Sequence, residues 1–187
     1  MKSSAGDKIW LATAIVAAVA GGVVAFSLKT DTPNPPATPN VVPTGVVADT
    51  QIQVYWLNSQ GDQLVATNRL IKQKNRLDTL RAGLEALITE PAPDPNLFSA
   101  IPKNTKILDL SIDGRDIRVN LSREFQAGGG ASSIQGRLAQ LLYTLTSIDP
   151  SAGVYLSIEG KPVEYLGGEG IEVKQPMYRK DYADILR

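Results

Sequence analysis

Four carboxylates and one basic run are the side chains whose types could do chemistry. Glu124, Asp149, Glu159 and Glu164 are the candidates for a glycosidase-type pair, in which one carboxyl donates a proton and the other attacks or activates water. None of them sits at a recognisable spacing, and acidic residues in turns are ordinarily just solvated. Asp109, Asp113 and Asp116 are spaced like oxygen ligands, but the closing glutamate of a calcium loop is missing and Asp113 is better used in a turn. Gly128-Gly129-Gly130 opens a helix, and helix N-termini attract anions. A dinucleotide fingerprint would need a third glycine where Ser133 stands, and a phosphate loop would need Gly-Lys-Ser/Thr, so the triplet reads as a loop. Arg69, Lys72, Lys74 and Arg76 place four basic groups at a strand-to-helix junction with no acid among them. Their functional reading is contact with a partner or an anionic surface, such as a wall polymer or a lipid headgroup; the alternative is a solvated turn.

Composition removes several chemistries outright. The 187 residues include no cysteine and no histidine, which excludes disulfides, thiolate zinc sites, cysteine nucleophiles, a Ser-His-Asp triad and histidine-ligated metals. Basic and acidic residues balance at 19 each, so no bulk charge points to nucleic acid. No cofactor motif is present, and the expectation is a protein that is not an enzyme.

The elements that would position these residues are legible in the hydrophobic pattern. Ile9 to Leu28 is an uncharged apolar run of the length that crosses a bilayer, preceded by Lys2 and Lys8. It predicts a transmembrane anchor after a short cytoplasmic N-terminus (1–8), with the rest of the chain outside; a cleaved signal peptide ending near Ala25-Phe26-Ser27 is the rival. Residues 29–50 form a Pro/Thr-rich linker, extended by its prolines.

From Gln51 the pattern turns globular. Ile52, Val54 and Trp56 alternate as in a strand, and Leu64 to Ile71 reads as its partner. Asn75 caps a helix reaching Thr89, striped by Leu77, Leu80, Leu84, Leu87 and Ile88, and Pro91 stops it. Leu108, Leu110 and Ile112, then Ile117, Val119 and Leu121, give a hairpin about Asp113-Gly114, read as a turn with two positive-φ central residues. Ser132 or Ser133 caps a second helix striped by Leu138, Leu141, Leu142 and Leu145. Val154, Leu156 and Ile158 make a further strand, with Val163 to Leu166 a short last one. Residues 171–187 read as a tail without a core pattern: a frayed terminus is the default, and the alternative is that the mixed aromatic and basic stretch Met177-Tyr178-Arg179-Lys180-Asp181-Tyr182 docks on a partner or on its own domain. The order predicts an α+β two-layer sandwich: a mostly antiparallel sheet with two helices on one face, spanning 51–170.

Six blocks of this region, in order, resemble the GerMN domain family of sporulation and germination proteins: VYWLNSQGDQLVATNRLI, TLRAGLEALITEP, SAIPKNTKIL, VNLSREF, AQLLYTLTSI and VYLSIEGKPV. The resemblance implies an extracytoplasmic, membrane-tethered α+β domain of the cell envelope, in the periplasm or wall space, that assembles with itself or with other envelope proteins and carries no established catalytic residues. The alternative is a module binding peptidoglycan or another glycan, for which Tyr55, Trp56 and Tyr165 are candidate contacts, Trp56 being placed in the core by its alternation.

Overall fold

The computed structural model describes residues 50–73 and 75–183. The expected anchor Ile9–Leu28 and the proline-rich run after it lie outside the described residues, as does Lys74. Among the described residues no helix is long and apolar enough to cross a membrane.

The chain opens on β1 (Thr50–Asn58), which pairs antiparallel with β2 (Leu64–Ile71) in register from Thr50↔Ile71 to Leu57↔Leu64. Asn58 organises the turn between them: its side-chain oxygen accepts the backbone N–H groups of Asp62 and Gln63. α1 (Arg76–Thr89) follows, capped as its sequence predicts: the Asn75 side chain accepts the Asp78 N–H at 2.8 Å. Leu80, Leu84, Leu87 and Ile88 bury its inner face. Gly83 lets the helix approach β1, since a Cβ there would lie 2.6 Å from Ile52 Cδ1. Two residues of β3 (Leu97–Phe98) then add to the far side of β1, giving the order β2-β1-β3.

β4 (Ile107–Asp113) and β5 (Asp116–Leu121) form the expected hairpin, with two differences. Asp113 pairs with Asp116, so the loop is Gly114-Arg115 and only Gly114 takes a positive φ, of 61°. Asp113 therefore ends the strand instead of occupying the turn. The register also slips between Ile107 and Asp109, and this bulge carries Leu108 out of the apolar alternation, leaving it 47% exposed while Leu110 is buried.

α2 (Ala131–Leu145) connects β5 to β6 (Val154–Ile158), which lies parallel to β5. The expected mostly antiparallel single sheet is thus divided. A second sheet runs β4-β5-β6-β7, closed by β7 (Lys161–Pro162), and a small ribbon pairs β8 (Tyr165–Leu166) with β9 (Ile171–Glu172). A helical crossover returns the chain to the same end of the sheet, so the strand after it pairs parallel. The α+β class and the two helices stand as expected. α2 begins earlier than either serine, with Gly130 at its N-cap and no side-chain cap from its own sequence.

As far as the described residues run, to 183, the C-terminal segment is docked on its own domain and is not frayed. Val173, Met177 and Tyr182 are buried in the core, and Met177 exchanges backbone hydrogen bonds with Val154. Gln175 donates to the Leu156 and Val163 carbonyls and accepts the Leu156 N–H. Burial, followed by the Asp181 charge, pushes the Tyr182 hydroxyl well above its usual range. The core thus continues past residue 170, where a lone Met and Tyr among charged residues carry no periodic signal in the sequence.

Candidate functional site

The basic run is divided by the fold. Arg69 lies on β2 and holds Glu90 at 2.6 Å, across the end of α1. Arg76, the first residue of α1, faces Asp149 at 4.0 Å, and Arg115 from the hairpin loop reaches the same carboxylate at 3.5 Å. Asp149 is held below the usual carboxylate range, first by the Ser151 hydroxyl and backbone N–H and then by Arg115 and Arg76. Lys72 is exposed, and Lys74 lies outside the described residues. Acids distant in sequence therefore offset two of these four cations.

The fold brings Glu124 and Glu159 to one groove and sets Asp149 and Glu164 apart from them. Glu124 and Glu159 line one open groove beside Lys106, Leu108 and Arg123, but Asp149 sits with Arg76 and Arg115, and Glu164 lines another groove with Tyr165 and Glu172. Glu124 is pulled below its usual range, above all by the Ser122 hydroxyl, which is opposite to what a proton donor needs. The Glu159 carboxylate accepts the Arg123 N–H and thereby holds Glu159 at a φ of 49° in the β6–β7 turn. Asp113 pairs with Arg118, Asp116 accepts the Gly153 N–H, and no metal-holding group of side chains is found among the described residues. The anion-attracting end of α2 is occupied from within: Glu169 accepts the Ala131 N–H at 3.1 Å.

Of the three aromatic residues considered for a glycan, Trp56 is core and donates its indole N–H to Thr67. Tyr55 is half-buried, edge-on to Tyr143 at 5.4 Å, with the Arg179 guanidinium over both rings. Tyr165 is 64% exposed.

What the sequence reading missed is how α2 finishes the first sheet. β3 covers only Leu57 and Asn58 of the β1 edge. Beyond it Thr144 accepts the Tyr55 N–H, and Gln140 donates to the Tyr55 and Phe98 carbonyls while accepting the Ala100 N–H. One turn earlier Arg137 is 2% exposed and reaches the carbonyls of Ala100, Phe125, Ala127 and Gly128. Burial pulls its guanidinium below the ordinary value. Polar residues at 137, 140 and 144, interleaved with leucines at helical spacing, were the available signal.

The consequence is an asymmetry between the two edges of this sheet. The β1 edge is closed by β3 and α2, whereas β2 is outermost and its backbone bonds run to β1 alone among the described residues. Leu70, 69% exposed, lies on the outer face of β2 across from Gln51, and Val65, 36% exposed, lies on the opposite face across from Trp56. That is a row of unpaired amide and carbonyl groups flanked by apolar side chains, which is chemically suited to accept another strand.

Comparison with known proteins bears on the same region. The family described as "Germane: Sporulation and spore germination" matches residues 53–164. Among solved structures, the tandem GerMN domains of the sporulation protein GerM from Bacillus subtilis superpose with a TM-score of 0.61 at 18% identity, covering 72% of this chain and 48% of that one. The chain thus spans about half the length of that tandem structure. The first GerMN domain of the same protein gives 0.60 at 20% identity, covering 71% and 99%. A putative lipoprotein from Clostridium perfringens gives 0.53 at 21% identity, covering 76% and 95%. At these identities the structural likeness speaks to the fold. No curated protein matches the sequence.

Proposed function

The chain belongs to the Germane family of sporulation and spore germination domains, and from that premise we propose that it is a non-enzymatic cell-envelope protein whose domain works by assembling with other proteins or with itself. The observation that carries this reading is the open β2 edge, set against a β1 edge that the protein closes with Gln140 and Thr144. The carboxylates that catalysis would use are distributed among turns and ion pairs. In this reading Ile9–Leu28 holds the domain at the membrane, with the domain on the outer side. The resemblance to a sporulation protein and a putative lipoprotein supports the envelope setting.

The test is crosslinking in intact cells: the tagged full chain is isolated from the envelope and its adducts are identified by mass spectrometry. Protein adducts, to itself or to other envelope proteins, are expected. Recovery of glycan adducts alone would replace this reading with the second one, a wall-binding module. That second reading draws on the exposed Tyr165 and on the row of amides at Gln51, Gln53 and Asn68 on the outer face of the first sheet. Sedimentation of the full chain with purified sacculi separates it from the first.

A further inference from the structure

We propose that the occupant of the β2 edge is a second copy of this chain, paired antiparallel about a two-fold axis at Thr67. The inference rests on the assembly reading and names its partner and register.

Among the described residues the other strand edges are guarded and β2 is not. β4 carries the bulge at Leu108 together with Asp109 and Asp113. β7 is two residues long and includes Pro162, and β3, β8 and β9 are also two residues each. Bulges, prolines, charges and short length are the usual devices that keep a free edge from pairing. β2 has eight residues in unbroken register, with no proline and no glycine. Its single charge, Arg69, is neutralised within the subunit by Glu90 at 2.6 Å.

The sequence of β2 is also complementary to itself. Cross-strand partners must point to the same face, so a two-fold pairing of identical strands places one residue opposite its own copy. Two registers keep most of β2 paired, centred on Thr67 or on Asn68. Centred on Thr67, Leu70 falls opposite Leu64, Ala66 opposite Asn68, and Val65 opposite Arg69. Leu70, the most exposed large apolar side chain among the described residues, then gains an apolar neighbour. Val65 of the second copy enters the open groove formed by Thr67, Arg69, Glu90 and Pro91. Centred on Asn68, Leu64 would instead meet Lys72, and Leu70 would meet Ala66. Neither register sets Arg69 against its own copy, so no like-charge contact opposes the pairing. Moving the axis one step further along, to Arg69, would create one.

The test uses disulfide capture in the full chain, which has no native cysteine. Directly opposite residues in an antiparallel pair stand about 4.5–5.5 Å apart at Cα, within disulfide reach, and residues two places out of register do not. The double variant Ala66→Cys/Asn68→Cys is expected to form a dimer on mild oxidation, with each single variant slower by at least about tenfold because its thiol meets no partner in reach. Leu70→Asp added to the double variant is expected to suppress the dimer. Both engineered positions are exposed, and circular dichroism checks that the variants fold. Capture by Asn68→Cys alone at the rate of the double variant would overturn the Thr67 register. Absence of any captured dimer, with other proteins still crosslinked in cells, would overturn the self-pairing and leave the assembly reading intact; absence of both removes the assembly reading as well.

Discussion

Replacing Gln140 with Leu isolates the device that closes the β1 edge. Leu is close to Gln in size, so the substitution changes hydrogen bonding more than packing. It removes three bonds at once: Ala100 N–H to Oε1 at 2.8 Å, and Nε2 to the Phe98 and Tyr55 carbonyls at 3.1 and 3.2 Å. Each backbone group left without a partner costs about 1–3 kcal/mol. These groups are only partly buried, so the lower part of that range applies, and the sum is about 3–5 kcal/mol. Against a typical total of about 5–15 kcal/mol this brings the domain close to unfolding. With a urea dependence of about 2 kcal/mol per molar, the midpoint falls by about 2 M. Urea titration followed by far-ultraviolet circular dichroism measures it, with Gln135→Leu, outside this network, as the control. A midpoint shift under about 0.5 M would refute the claim that Gln140 substitutes for a missing strand.

Three other outcomes follow from the packing and the charges. Met177→Ala empties a site with no solvent exposure and is expected to cost about 2–5 kcal/mol in urea unfolding, whereas a truly loose tail would give almost no change. Gly167→Ala is expected to destabilise by about 1–3 kcal/mol, because Gly167 has a φ of 77° and a Cβ would lie 2.1 Å from Ile134 Cδ1. Thermal melts would show it, and an unchanged melting temperature would contradict it. Asp149 has its folded-state value depressed, so its contribution to stability is present above the unfolded carboxylate value of about 3.9 and is lost as pH falls through the folded one. Asp149→Asn is therefore expected to destabilise near neutral pH and to make the loss of stability below about pH 4 shallower. Melting temperatures across that interval measure the difference, and parallel curves for the two proteins would contradict it.

Local signals carried most of the fold. The Asn75 cap, the Leu80-Leu84-Leu87 stripe and the β1–β2 alternation are settled within a few residues, so the sequence shows them directly. The pairing of β5 with β6 was not legible, because it depends on where α2 returns the chain. The bulge at Leu108 was hidden for a similar reason: the strand alternates in sequence, and only the partner strand reveals the slipped register. The buried C-terminal segment is held by single residues, Gln175, Met177 and Arg179, whose partners lie far away in the chain. The basic run at 69–76 looked unopposed because Glu90 and Asp149 reach it only through the fold. Which edge stays open is likewise a tertiary property, since β1 and β2 read alike until α2 is placed.

The most direct test of the account is a scan with a photocrosslinking amino acid in the full chain in intact cells. Substitutions at Val65, Asn68 and Leu70 on β2 are compared with Asp109 and Asp113 on the guarded β4. Protein adducts are expected at the β2 positions, with few or none at β4. Adducts at β4 alone, or none at β2 while the domain remains folded, would contradict it.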